Sequence, residues 1–157
     1  MKIEVLLVGK TDGDLYKNAL ADYGRRIARF VPFAIEEIPD VKNTKALTEP
    51  LQKEKEADAV FHALQPGDHL ILLDERGKEM TSHEFAGFLD RKMQTVTKRI
   101  VFLVGGPYGF SPRIHEAAQD KISLSRMTFS HQMVRLFLVE QIYRAHTILK
   151  GLPYHHD

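Results

Sequence analysis

Residues 99–112 read RIVFLVGGPYGFSP, and residues 122–157 read ISLSRMTFSHQMVRLFLVEQIYRAHTILKGLPYHHD. The run 100–104 is apolar without interruption, which predicts a strand buried on both faces. It stops on Gly105-Gly106, where backbone without side chains can lie directly against a ligand. A second strand-like segment, 122–125, leads through Arg126-Met127-Thr128-Phe129 into a long helix. Two strand ends therefore deliver polar or side-chain-free backbone toward one crevice, the usual ligand position in an open α/β sheet.

Outward from this stretch, strands and helices alternate. Residues 2–8 run apolar into Gly9 as a strand, and Leu15, Ala19, Leu20, Tyr23, Ile27 and Phe30 then repeat at helical spacing up to Pro32. Residues 33–38 predict a second strand, and residues 44–64 a charged helix with Leu47, Leu51, Val60, Phe61 and Leu64 on its inner face. Residues 69–73 predict a third strand that ends in Asp74-Glu75-Arg76-Gly77. Thr81-x-x-Glu84 is a capping box that opens a helix carrying Phe85, Phe88, Leu89 and Met93. Ser111-Pro112 starts a short helix over 112–119.

The alternation predicts a doubly wound α/β domain, a mainly parallel sheet with helices on both faces, over residues 1–157. The last helix, capped by Ser130 and stopped by Lys150-Gly151, is apolar nearly all round, with Leu138 and Val139 among its residues. One face covers the sheet. The remainder calls for a second cover, and a homodimer supplies it.

Composition narrows the chemistry. The chain has 157 residues and no cysteine, so disulfides, thiolate metal ligands and cysteine nucleophiles are excluded. No apolar run approaches the roughly 18 residues of a membrane span and no signal-peptide pattern is present, so the expectation is a soluble cytoplasmic protein without membrane contact. Net charge is +1, but residues 1–90 carry 12 Lys/Arg against 17 Asp/Glu and residues 91–157 carry 10 against 4. The half with the glycine loop is basic, which suits a phosphate-bearing partner.

Gly105-Gly106-x-x-Gly109 matches neither the phosphate-binding P-loop nor the dinucleotide fingerprint, so neither ATP nor NAD is favoured. The eight histidines show no helical metal-ligand spacing, and no metal is expected. Asp74 and Glu75, at a strand end, are candidates for contacting a ligand. His131 and Arg135 lie four apart at the start of the last helix and, with Arg126, put positive charge at a helix N-terminus that attracts anions. By pattern alone, a tight turn before a capped helix and a flavodoxin-like nucleotide module also remain open.

The blocks LVGGPYGFSP, ISLSRMTFSHQMVRLFLVEQIYRA and PYHH, with LLDERGKEMTS upstream and VGK near the start, resemble the RlmH-type 23S rRNA pseudouridine-N3 methyltransferases of the SPOUT superfamily. The resemblance implies the SPOUT fold with a C-terminal trefoil knot, which pattern reasoning would not propose because knots are nearly absent among folds. It implies a homodimer that binds S-adenosylmethionine through Leu73, Gly105, Leu124, Ser125, Arg126, Met127, Thr128 and Phe129. The implied reaction is methyl transfer to N3 of a pseudouridine in 23S rRNA, and a small domain with only a local basic surface leads to the expectation that an assembled ribosome or subunit provides the shape it reads. That nitrogen is an imide N–H, so the chemistry needs a base or a charge that stabilises the imidate. Arg135 is the candidate for imidate or phosphate stabilisation, His155 with Tyr154 for the base, and His131 a further candidate. The alternative from another class is a non-enzymatic, ribosome-associated RNA-binding protein.

Overall fold

The computed structural model describes residues 1–42 and 44–157. Its elements are β1 (Lys2–Val8), α1 (Asp14–Ile27), β2 (Phe33–Ile38), α2 (Glu49–Ala63), β3 (His69–Glu79), α3 (Ser82–Thr95), β4 (Arg99–Val104), α4 (Pro112–Ala117), β5 (Asp120–Ser123) and α5 (His131–Leu149). The strands form one parallel sheet in the order β2-β1-β4-β3-β5. A parallel sheet buried on both faces wants apolar residues at successive positions. Accordingly Ile3, Val5, Leu7, Phe102 and Ile71 pack against α1, α3 and α5, while Leu6, Val8, Leu70, Leu72 and Leu103 pack against α2 and α4. Among the described residues no helix is long and apolar enough to cross a membrane.

The side-chain caps of α3 and α5 form, whereas Ser111 starts α4 without a side-chain cap bond. Thr81 and Ser130 accept from the backbone N–H of Glu84 (3.1 Å) and Met133 (3.1 Å), which sets the starts of α3 and α5. Residues 44–64 do not form one helix: Thr48 is the N-cap and Pro50 lies in the first turn, so α2 begins at Glu49. Its buried face carries Glu56, Ala57 and Val60, whereas Leu51 is exposed. Phe30 falls beyond α1 and stacks on His146, ring centroids 5.3 Å apart. Strand β5 begins at Asp120, two residues before the predicted start, and releases the chain at Ser123.

Strand β3 does not end at Leu73. It pairs with β5 twice, Leu73 with Ile122 and again Lys78 with Ile122, so residues 74–77 bulge out and the strand resumes. Glycine at 77 is a packing requirement, since a Cβ there would lie 2.5 Å from the Ile122 carbonyl carbon. Helix α5 crosses back from this sheet edge to pack between α1 and α3. Leu138 and Val139 are fully buried in the chain's own core, and the exposed apolar side chains of α5 are Met133, Phe137 and Leu149. The reason is register. Positions 138, 139, 142 and 145 form the stripe that faces the sheet.

At the opposite end of the sheet from the glycine loop, Arg99 opens β4. Its Nη1 donates to Glu4 (2.9 Å) and its Nε to Asp68 (2.9 Å), with Nη2 reaching the Ala63 carbonyl (3.2 Å). Burial pushes the Asp68 carboxyl up, but the hydrogen bonds from Arg99 and the Gln65 backbone hold it below its ordinary value.

Candidate active site

A cleft of about 780 Å³ opens at the bulge of β3 and at the carboxyl ends of β4 and β5. Leu73 to Arg76 form one side, residues 104–110 the floor, and residues 123–125 and 127–131 the opposite wall, with Glu49 and Lys53 of α2 and His115 of α4 closing the remainder. The floor is a tight reversal in which the Gly109 N–H donates to the Gly106 carbonyl (3.2 Å), with Gly109 at φ 80°. Gly105 has a different constraint. A Cβ there would meet the Phe110 ring at 2.9 Å, so the small residue lets Phe110 seat against the loop.

The far wall is shaped by serines. Ser123 Oγ donates to the Ser125 carbonyl (3.0 Å), and Ser125 Oγ accepts from the Met127 N–H (2.9 Å). Beyond this turn Phe129 packs edge-on against Phe137, centroids 5.0 Å apart. Of the eight cofactor candidates, Leu73, Gly105, Leu124, Ser125, Met127, Thr128 and Phe129 line the cleft. Arg126 does not; its side chain is 88% exposed and approaches Glu79 at 3.5 Å. Asp74 and Glu75 line it as well, and His115 Nδ1, 3.7 Å from Asp74 Oδ2, is buried without a hydrogen-bond partner among the described residues.

The structure separates the four catalytic candidates. His131 is exposed and lines the cleft. Arg135 is 0% exposed and lies beneath the β1–α1 loop, where Nη2 donates to the Val8 carbonyl (2.8 Å) and Nη1 to Thr11 Oγ1 (3.0 Å). Burial pulls this guanidinium below its ordinary value, opposed by Glu37, Asp40 and Asp12. Tyr154 and His155 fold back on their own chain, away from the cleft. The Tyr154 hydroxyl donates to Glu140 (3.0 Å) and lies 3.0 Å from the Tyr23 hydroxyl, and burial together with these partners pushes it up. Arg144 donates to His155 Nδ1 (3.1 Å), which leaves Nε2 to carry the ring proton and donate to Asp157 (3.1 Å). His83 Nε2 reaches the same carboxylate oxygen at 2.5 Å. These hydrogen bonds account for the gathering of His83, His155 and Asp157, the one group among the described residues with metal-ligand proximity.

Sequence reading missed the contribution of α2. Glu49, Lys53 and Glu56 recur at positions i, i+4 and i+7, one stripe of the helix. The first two line the cleft, and Glu56, 8% exposed, sits under the glycine loop. A Cβ on Gly106 would lie 2.6 Å from Glu56 Oε2. Burial, then the charge of Asp40, push the Glu56 carboxyl above its ordinary value. The stripe was legible as spacing, but charges on a helix read by default as its solvated face.

Comparison with solved structures finds the same architecture in a "Probable Methyltransferase from Bordetella pertussis Tohama I" (TM-score 0.56, 12% identity, 92% of this chain and 95% of that one). A probable methylase family protein from Haemophilus influenzae Rd KW20 is similar to the same degree (TM-score 0.56, 9% identity, 95% of this chain and 66% of that one). At these identities the likeness is one of fold. Sequence relatives are much nearer. The chain is 57% identical over its full 157 residues and the full length of the relative to "Ribosomal RNA large subunit methyltransferase H" of Parabacteroides distasonis, and 57% to that of Bacteroides thetaiotaomicron. The protein of the same name from Flavobacterium johnsoniae is 50% identical over the same span. The family model described as "Predicted SPOUT methyltransferase" matches residues 1–155. A cleft at the carboxyl ends of two parallel strands and the bulge of a third, relatives at least half identical from end to end, and a family match over nearly the whole length agree, and the chain belongs to the SPOUT methyltransferase family.

Proposed function

We propose that this chain, as one SPOUT methyltransferase domain over residues 1–157, transfers a methyl group from S-adenosylmethionine to N3 of a pseudouridine in 23S rRNA of the cytoplasmic ribosome. The single observation that carries the reading is the cleft, whose wall holds seven of the eight residues that the family resemblance assigns to the cofactor. Its volume of about 780 Å³ falls inside the range of about 300–1,000 Å³ usual for small-molecule sites. Leu73, Val104, Leu124 and Phe129 offer apolar surface for a flat base, and backbone of residues 105–106 and 124–128 offers donors and acceptors for its edge. The buried, unpartnered Nδ1 of His115 is a further polar atom that a ligand there would satisfy. The residues fit the group, which when bound supplies an electrophilic sulfonium methyl.

The chain's own residues then have distinct tasks. Lys53 and Arg76 line the cleft and suit RNA phosphates, and the exposed Arg126 lies beside it. His131 is the one of the four catalytic candidates on the cleft itself. Arg135, fully enclosed, acts by holding the β1–α1 loop through Val8 and Thr11. Tyr154 and His155 reach a reacting base only in a homodimer, in which the tail leaves its own α1 and α5 for the partner's cleft. The return of α5 from the edge strand β5 across the sheet is compatible with the trefoil knot of the family.

The test combines calorimetry with S-adenosylmethionine and transfer of a labelled methyl group to ribosomes from a strain that lacks this modification, followed by mass mapping of the rRNA. Binding together with one labelled pseudouridine is expected. A chain that binds ribosomes but neither binds S-adenosylmethionine nor labels rRNA is the non-enzymatic alternative.

A further inference from the structure

Glu56 is an anomaly in the packing. A buried carboxyl is ordinarily paired with a cation or takes several hydrogen bonds, because transfer from water is costly otherwise. Glu56 is more than nine-tenths buried, and its Oε1 has no hydrogen-bond partner among the described residues. The charge that acts on it, Asp40 in the chain after β2, carries the same sign. On its own helix Lys53 is one turn away and ion-pairs weakly with Glu49 (3.8 Å), pointing to the cleft rather than to Glu56. From the β4 side it meets Gly106, which presents backbone only. Among the described residues no cation or hydrogen-bond donor pairs with this carboxyl. Glutamine would fill the same space without the burial cost, which makes the site a candidate for proton chemistry.

Position supports the same conclusion. Glu49 and Lys53 line the cleft, and Glu56, the next residue of the stripe, lies under its floor beside Gly106, where the loop has no side chain. Any residue larger than glycine at 106 would drive its Cβ to 2.6 Å from Oε2 and displace the carboxyl. The missing side chain keeps Oε2 in place under the loop.

We infer that Glu56 is the proton acceptor for the imide N–H of the target base, an inference that rests on the methyl-transfer reading above. In the step, the N–H electron pair stays on nitrogen and forms the new N–C bond as the carbon–sulfur bond of the donor breaks toward sulfur, and the proton goes to a Glu56 carboxylate oxygen. The product acid is neutral, the form that a buried site with a neighbouring aspartate favours. Burial raises the basicity of the carboxylate toward what an imide requires, and the proton is held away from water.

The experiment is single-turnover methylation of unmodified ribosomes by the full chain across a pH series, for wild type, Glu56→Gln and Gly106→Ala, with S-adenosylmethionine affinity by calorimetry and melting curves on the same samples. For the wild type the rate should rise with pH through one ionisation above the ordinary carboxyl range. Glu56→Gln should melt no lower than wild type, bind S-adenosylmethionine within a few fold, lose the rate by roughly 10²-fold or more, and lose that pH limb. Gly106→Ala should reproduce the loss of rate, and the double variant should be no worse than either single one. A Glu56→Gln protein with wild-type rate and pH profile overturns the inference, as does one whose rate falls only in step with S-adenosylmethionine affinity. A wild type that labels no rRNA would instead refute the underlying methyl-transfer reading.

Discussion

Acid should weaken this fold through one histidine. His146, on α5, is 4% exposed, its ring lies nearly parallel to Phe30 (9° between planes), and its Nε2 has no hydrogen-bond partner among the described residues. Burial, and secondarily the charge of Lys150, bring its pKa down from 6.5 to about 4. Below pH 6.5 the unfolded chain takes up a proton that the native one refuses until about pH 4, so stability is complete above that window and falls within it as pH drops. The slope is about 1.4 kcal/mol per pH unit, which makes the loss about 2 kcal/mol at roughly pH 5 and about 3 kcal/mol at roughly pH 4.

His146→Leu removes this contribution. Between about pH 7.5 and pH 5 the variant should gain about 2 kcal/mol on the wild type, roughly 4–8 °C in Tm for a chain of this size. The assay is thermal or urea unfolding of both proteins at several pH values and one fixed protein concentration. Other groups shift the absolute curves. Glu56 takes a proton early in the native state and opposes the trend, while Asp68 and Asp120, held below their ordinary values, add to acid loss at lower pH. Both proteins share these groups, so the difference isolates His146. Parallel curves over the window would refute the reasoning and would mean that the ring is protonated as easily in the fold as outside it.

Arg99→Leu leaves the carboxylates of Glu4 and Asp68 buried without their cation, and should cost about 3–5 kcal/mol by chemical denaturation at neutral pH; a loss below about 1 kcal/mol would show that water or Lys2 compensates. Gly77→Ala puts a Cβ 2.5 Å from the Ile122 backbone, where no side chain can yield, and should lower stability by roughly 1–3 kcal/mol while weakening S-adenosylmethionine binding. An unchanged melting curve would contradict the close β3–β5 approach. Phe137→Asp, at a side chain 38% exposed, should leave a folded chain that sediments as a monomer, whereas Leu138→Asp, at 0% exposure, should unfold it. A dimeric Phe137→Asp protein would remove this face from the proposed interface.

Much of the fold was legible because its signals are local. The unbroken apolar run before Gly105, the threonine cap at 81 and the serine cap at 130 each act within one turn or one strand, and the structure retains all three, although the Glu84 side chain does not complete the predicted capping box. The wall 123–129 and the floor at Gly105 were legible as strand ends, since parallel strands put their carboxyl ends on one edge. The resumption of β3 after its bulge was not legible. It depends on a second pairing with Ile122, more than 40 residues away, and residues 74–77 carry ordinary turn chemistry.

His131 and Arg135 show the same division inside the site. Sequence spacing puts them on one face of α5, and that is where they lie, yet one ends on the cleft and the other under the β1–α1 loop. Helical period sets direction around an axis, while depth depends on what the axis is packed against, here α1, α3 and the sheet. Glu56 is the strongest case. In the sequence it is one charge among several on a polar helix. Only the approach of α2 to the glycine loop makes it a buried carboxyl without a counter-ion among the described residues, because desolvation is a property of the assembled neighbours and not of the residue that they enclose.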